Sequence, residues 1–211
     1  MTISFKPLHE SHFPLLLKWL EAAHVKVWWD QDVTYTMDLV REKYSSRITS
    51  LGTKSDNCIQ GFIIHNKQNP VGYIQIYNAY DFPRSKPLFG LPANLGAFDI
   101  FIGEKAFLGQ GFGSKAILEF FKLHGNCYSH IFADPDSNNI AAVKCYEKAG
   151  FKKLSEQEDT KEVWMILNNL EHCYLEENEN PEVRSILNDG LKDFNKSKLG
   201  PYEHIGGRLR V

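Results

Sequence analysis

The chain has 211 residues, which is enough for one globular domain and an appendage. A hydrophobic content of 43% supports a core, and a net charge of −2 gives no electrostatic reason to bind nucleic acid or an anionic membrane. The chain shows no run of about 18 apolar residues, no apolar signal-peptide centre and no Cys-x-x-Cys pair, so we predict a cytoplasmic protein without membrane partner, metal or disulfide.

The first predicted elements are a short strand, Ile3–Leu8, and a helix capped by Ser11. The linking segment that follows carries two adjacent tryptophans, Trp28 and Trp29. Two neighbouring tryptophans cannot both face one core. Either one is a core anchor and the other is partly exposed, or both form an aromatic wall of a ligand pocket. Thr36 is predicted to cap a second, shorter helix.

A β-hairpin is predicted next, with strands from Cys58 to His65 and from Val71 to Tyr77 around a turn at Asn66–Pro70. In the second strand, Ile74 and Ile76 share one face. The other face, which is either solvated or a pocket wall, carries two tyrosines and a glutamine: Tyr73, Gln75 and Tyr77. Residues 81–95 contain three prolines and are predicted to form a long loop.

The centre of the chain reads as a strand, a glycine-rich turn and a helix. Phe98, Ile100 and Ile102 alternate with Asp99 and Phe101, as in a strand of a sheet. The turn contains three glycines, at positions 109, 111 and 113, and an amphipathic helix follows it. Such a turn either presents free N–H groups and the positive helix end to an anion such as phosphate, or serves only close packing.

The C-terminal half adds a strand at residues 129–134, a helix from about Ile140 to Ala149 with Gly150 as its stop, and two final strands. Residues 1–168 are therefore predicted to form one α+β domain. Residues 169–211 contain a polar linker, an amphipathic helix at Val183–Phe194 and a short strand-like end. This tail is either the truncated start of a second domain of the same kind or an accessory helix that packs on the first domain or on a dimer mate.

Two motifs carry a family resemblance. The stretch from Asn139 to Phe151 closely resembles the Asn-x-x-Ala-x-x-x-Tyr-x-x-x-Gly-Phe signature of GCN5-related N-acetyltransferases (GNAT), and the glycine turn resembles their pyrophosphate loop. The resemblance implies the GNAT fold, with a mixed, mostly antiparallel central sheet flanked by helices. The tryptophan pair, the hairpin strand, Asp99 and Asp134-Pro135 are similar to aminoglycoside 6′-N-acetyltransferases, a group associated with antibiotic resistance. Many family members carry Arg or Gln at the position of Leu108. This sequence departs from that pattern, as the aminoglycoside 6′-N-acetyltransferases also do.

The resemblance implies that acetyl-CoA is the co-substrate, with its pyrophosphate on the backbone amides of residues 110–114. The implied cofactor-binding residues are Ile100, Ile102, Gln110, Gly111, Phe112, Gly113, Ser114, Asn139 and Tyr146. Asp99 is predicted to orient the amine and accept its proton, or else to be an outward-facing strand residue or a bulge residue. The resemblance implies that Tyr146 holds or protonates the sulfur of the leaving thiolate; otherwise it is a core aromatic. Asn139 also suits a helix cap.

The predicted substrate is the 6′-amine of an aminoglycoside, acetylated by direct transfer in a ternary complex of a monomer or homodimer. Carboxylates and aromatic faces attract ammonium groups, so the predicted substrate-binding residues are Trp28, Trp29, Gln75, Tyr77, Asp81, Asp99 and Asp134. Asp134 is equally well a turn residue at the end of a strand. Alternatives are acetylation of another amine or hydroxylamine, such as a siderophore precursor or polyamine, and a non-catalytic CoA sensor.

Overall fold

The computed structural model describes residues 2–48, 59–84, 86–125 and 127–169. Its strands are β1 (Ile3–Pro7), β2 (Gln60–Asn66), β3 (Asn69–Asn78), β4 (Leu95–Ile102), β5 (His130–Ala133), β6 (Lys152–Gln157) and β7 (Glu162–Asn168). Its α-helices are α1 (Phe13–Leu20), α2 (Ala23–Lys26), α3 (Met37–Tyr44), α4 (Phe112–His124) and α5 (Ile140–Lys148). All described residues lie in one compact unit, Met1–Leu170. The predicted tail helix and Cys58 lie outside them.

The strands form one sheet in the order β1-β2-β3-β4-β5-β7-β6. Every neighbouring pair is antiparallel except β4 and β5, which run parallel. The predicted mixed, mostly antiparallel sheet is therefore confirmed. Because α4 connects the parallel pair, its N-terminus lies at the same edge of the sheet as the carboxyl ends of β4 and β5.

Each face of the sheet is covered by different helices. On one face, the predicted apolar pair Ile74 and Ile76 packs with α4 and α5, together with Phe98. On the other face, Tyr73 and Phe101 pack with α1 and α3. The face of β3 that was predicted to be solvated or a pocket wall is neither, because Tyr73 is fully buried and Gln75 is 4% exposed beneath the N-terminal helices.

The long loop after β3 covers the rest of that second face. Tyr77, Phe132 and Trp164 form a smaller apolar cluster there, and Phe82, Leu88 and Leu91 of the loop pack against it. The predicted loop thus has an anchored position over β5. This packing also holds the loop's polar residues next to the parallel pair of strands.

Three local predictions need correction. Ser11 does not cap the first helix: the His9 side chain accepts a hydrogen bond from the Ser11 N–H in a 3-10 turn at Glu10–His12, and α1 begins at Phe13. The segment before the tryptophans contains the short helix α2. The hairpin turn is shorter than predicted, because β3 begins at Asn69. Thr36 caps α3 as predicted, with its hydroxyl 3.3 Å from the Leu39 N–H.

Candidate active site

The candidate site lies in a gap between the two parallel strands, β4 and β5. The β4–β5 pairing covers three residues and ends at Ala97 and Phe132. Asp99 and Asp134 each lie two residues beyond that last pair, so the two carboxylates stand on opposite sides of the gap. A cavity of about 860 Å³ occupies the gap and extends to the start of α4.

The glycine turn forms one end of this cavity. Gly111 precedes the first residue of α4 with a φ of 71°, and no side chain hydrogen-bonds to the N-terminus of the helix. A left-handed φ is strained for other residues, and an uncapped helix start offers N–H groups to an anion. At Gly113, a side-chain carbon would come within 3.0 Å of the Cys145 sulfur, so glycine allows α4 and α5 to approach. The turn thus has both features between which the sequence could not choose.

Two lysines on α5 add positive charge to this end. Lys144 and Lys148 are one helical turn apart and both line the cavity. The Lys148 ammonium lies 3.2 Å from the position that a side-chain carbon at Gly111 would occupy. Sequence reasoning missed both residues. Their four-residue spacing within the signature helix is the signal that would have found them.

Asp99 is held by a chain of hydrogen bonds that starts in the core. The Gln75 Nε2 donates to Asp99 Oδ2 at 2.6 Å, and Gln75 Oε1 accepts from Arg47 Nη1 at 2.6 Å and from the Tyr73 hydroxyl at 2.8 Å. The two donors on Oε1 fix the orientation of the amide, so its N–H group must point at Asp99. The Arg47 guanidinium also lies over the Tyr44 ring at 4.5 Å. Arg47 was missed because it is about 50 residues away in sequence and belongs to no motif.

Tyr146 and Asn139 come from α5. The Asn139 side chain caps this helix, accepting from the Ala142 N–H at 3.1 Å. Tyr146 is 9% exposed, packs on Phe98 with ring centroids 5.3 Å apart, and lines the cavity. Burial raises the pKa of Tyr146 above its ordinary value, so the hydroxyl keeps its proton at neutral pH. Tyr146 therefore is a core aromatic that also lines the cavity.

Asp134 already has a cationic partner. Arg84, from the loop after β3, donates from Nη1 to Asp134 Oδ2 and hydrogen-bonds to Tyr77. Its guanidinium also lies 4.9 Å from the centroid of the Phe132 ring. Burial raises the pKa of Asp134, while the charge of Arg84 counteracts that shift. Sequence reasoning missed Arg84, which is 50 residues away from its partner.

The two tryptophans differ in exposure. Trp29 packs edge-to-face on Phe101 at 4.9 Å and donates from Nε1 to the Tyr44 hydroxyl at 3.1 Å, whereas Trp28 is 44% exposed. Both line the cavity. Trp29 is therefore a core anchor and Trp28 its partly exposed neighbour, and the two also form part of the pocket wall.

The structure brings most of the predicted site residues to one cavity. Those that line it are Trp28, Trp29, Asp99, Ile100, Ile102, Gly111, Phe112, Gly113, Ser114, Asp134, Asn139 and Tyr146. Four others do not: Gln75 lies one hydrogen bond behind Asp99, Tyr77 contacts Arg84, Asp81 lies at the start of the loop, and the Gln110 side chain turns back to the Ala106 carbonyl. The roles of all these residues stay predictions.

Comparisons with known proteins identify the family. Residues 9–158 match the model of the acetyltransferase (GNAT) domain, so the chain belongs to the GNAT acetyltransferase family. Aminoglycoside N(6′)-acetyltransferase type 1 of Klebsiella pneumoniae is 24% identical over 155 residues, covering 72% of this chain and 75% of the relative. The protein of that name from Serratia marcescens matches equally.

Solved structures agree. The structure of AAC(6′)-Ib in complex with ribostamycin and coenzyme A is 25% identical, has a TM-score of 0.68, and covers 80% of this chain and 94% of its own. The coenzyme A complex of AAC(6′)-Ib gives a TM-score of 0.67 over 79% of this chain and 95% of its own. The predicted enzyme class, an acetyl-CoA-dependent N-acetyltransferase with the GNAT fold, is confirmed.

The described residues hold neither a metal-binding cluster nor a membrane-spanning helix. No group of three or more His, Cys, Asp or Glu side chains in this part of the chain is arranged to hold a metal ion. None of the helices described is long and apolar enough to cross a membrane.

Proposed function

We propose that this protein transfers the acetyl group of acetyl-CoA directly to the 6′-amine of an aminoglycoside, within a ternary complex. The observation that carries the proposal is the arrangement of one cavity, with an uncapped helix start at one end and Asp99 and Tyr146 on its walls. The similar proteins named above act on the 6′-amine of aminoglycosides or were solved with ribostamycin, which supports this choice of acceptor.

At the cofactor end, backbone amides at residues 110–114 bind the diphosphate of acetyl-CoA, and Lys148 adds a charge beside them. Only a small residue at position 111 lets the phosphate approach the backbone closely. The thioester then lies along β4, where Ile100 and Ile102 line the cavity.

At the acceptor end, an alkylammonium has a pKa of about 10 and must lose a proton before it can attack. Asp99 orients the ammonium and accepts that proton. The amine nitrogen attacks the thioester carbonyl carbon, the new C–N bond forms and the C–S bond breaks. Tyr146 donates its proton to the departing thiolate and recovers one from solvent. The acylated nitrogen loses its second proton to solvent and Asp99 releases the first, so that the products are the amide, free CoA and one proton.

The proposal is tested by a thiol-release assay with acetyl-CoA against kanamycin, ribostamycin, hydroxylysine and polyamines. We expect turnover of the aminoglycosides, with the acetyl group located on the 6′ nitrogen by NMR. Initial-rate plots should intersect, as direct transfer in a ternary complex requires. Turnover of hydroxylysine or polyamines alone would reject the aminoglycoside assignment. Parallel initial-rate plots would reject direct transfer. If none of the acceptors in the panel causes thiol release, the result favours the non-catalytic CoA sensor.

A further inference from the structure

The gap between β4 and β5 holds two carboxylates that are satisfied in different ways. Asp99 is half-buried and accepts from a neutral amide, the Gln75 Nε2. Asp134 accepts from the Arg84 guanidinium, a full positive charge. An acceptor with several ammonium groups can therefore bind to Asp99 directly, but at Asp134 it meets a carboxylate that is already paired.

Arg84 is not a surface residue that swings away at little cost. Its side chain is 10% exposed, and it contacts Asp134, the Tyr77 hydroxyl and the Phe132 ring together. Pulling one member out of a buried ion pair leaves a desolvated charge behind, which is strongly unfavourable. The apolar cluster under Phe82, Leu88 and Leu91 also anchors the loop that carries Arg84.

We propose that Arg84 is a specificity-determining residue, which occupies at Asp134 the place of a second acceptor ammonium. This inference rests on the proposed function and narrows its substrate class. The enzyme then recognises its acceptor through one ammonium, at Asp99, and favours a hydroxyl or another neutral group beside Arg84. Polycationic acceptors bind more weakly than they would to a site with both carboxylates available.

Calorimetric titration of the CoA-loaded protein with kanamycin tests this, and it is run at pH 8 because burial raises the pKa of Asp134. In Arg84→Met, the freed carboxylate takes a kanamycin ammonium, and we expect the Kd to fall about tenfold, as for one added charged hydrogen bond. The double variant Arg84→Met/Asp134→Asn should lose this gain. Lys86→Met is the matched control, because it removes a positive charge from the same loop at the pair with Asp159 and should leave the Kd unchanged.

Thermal unfolding supplies a readout without turnover. Kanamycin should raise the Tm of Arg84→Met more than that of the wild type, since the ligand replaces the lost guanidinium. If Arg84→Met does not fold, Arg84→Lys keeps the charge but loses the paired geometry, and its Kd should fall by a smaller factor. If the folded variants bind kanamycin with a Kd equal to or higher than that of the wild type, the inference is overturned. Failure of the wild type to acetylate any aminoglycoside would instead overturn the proposed function, since the binding comparison does not depend on turnover.

Discussion

The proposed cofactor end and the proposed acceptor end of the cavity are formed by different parts of the chain. The cofactor end consists mainly of backbone: a left-handed glycine, an uncapped helix start and a close helix–helix contact at Gly113. The acceptor end consists of side chains that reach across the fold, from Arg47 through Gln75 to Asp99 and from Arg84 to Asp134. A backbone site tolerates few changes at the glycines, whereas a side-chain site can change its preference one residue at a time.

The largest expected effect is at the acceptor end. Asp99→Asn keeps the size of the side chain but cannot accept the amine proton, so we expect kcat to fall by about 10²-fold or more. The KM for acetyl-CoA should stay within about twofold, because the cofactor end is untouched. Steady-state kinetics with Asp38→Asn, an exposed aspartate on α3, as control checks this. If the KM for acetyl-CoA rose as much as kcat fell, Asp99 would also contribute to cofactor binding, and the proposed division of the cavity would be wrong.

The matching change at the cofactor end is Gly111→Val. A β-branched residue is strained at a φ of 71°, and its side chain meets the Lys148 ammonium. We expect the KM for acetyl-CoA to rise about tenfold or more with a smaller change in kcat. Gly90→Val, at a φ of 76° with no atom near, separates backbone strain from loss of the site. A similar KM for acetyl-CoA in both variants would argue against diphosphate binding by the backbone amides of residues 110–114.

Arg47→Met tests whether the acceptor end depends on the core. Without its charged donor, the Gln75 amide is free to rotate and present its oxygen to Asp99, which repels the carboxylate. We expect kcat to fall about tenfold, whereas Tyr73→Phe, which leaves Arg47 on the same oxygen, should cost less. The measurement is kcat together with the unfolding midpoint, and a variant that folds with an unchanged kcat would remove the positioning role.

The smallest expected effect is that of Lys148→Ala. Loss of one exposed cation beside the phosphate site should raise the KM for acetyl-CoA about threefold and reduce its dependence on salt. Lys115→Ala, on α4 but outside the cavity lining, should change neither value. If both lysines behave alike, the backbone alone accounts for diphosphate binding.

Sequence reasoning recovered what is local and periodic. The alternation in β3 and β4, the cap at Thr36 and the Gly150 stop are short-range features, and the structure has each of them. The family resemblance also predicted most of the residues that line the cavity, because it implied a fold that brings distant elements together.

What sequence reasoning missed is long-range pairing. Nothing near Arg84 or Arg47 in the chain indicates a partner, since each contact depends on how a loop or a turn packs on the sheet. The β3 face was misjudged for a related reason. Alternation shows that Tyr73 and Gln75 share a side, but only the packing of α1 and α3 decides that this side is buried.

The early end of the β4–β5 pairing has one more consequence. Beyond Ala97, the main-chain N–H and C=O groups of β4 that face the gap have no strand partner in the described region. Main-chain polar groups away from bulk water require partners. An extended ligand with amide groups, such as the arm that links the thioester to the nucleotide in acetyl-CoA, would complete the sheet as an added strand. Hydrogen exchange of the gap-facing N–H groups within Phe98–Ile102 should then slow when CoA binds. The co-substrate would thus stabilise the fold in addition to supplying the acetyl group.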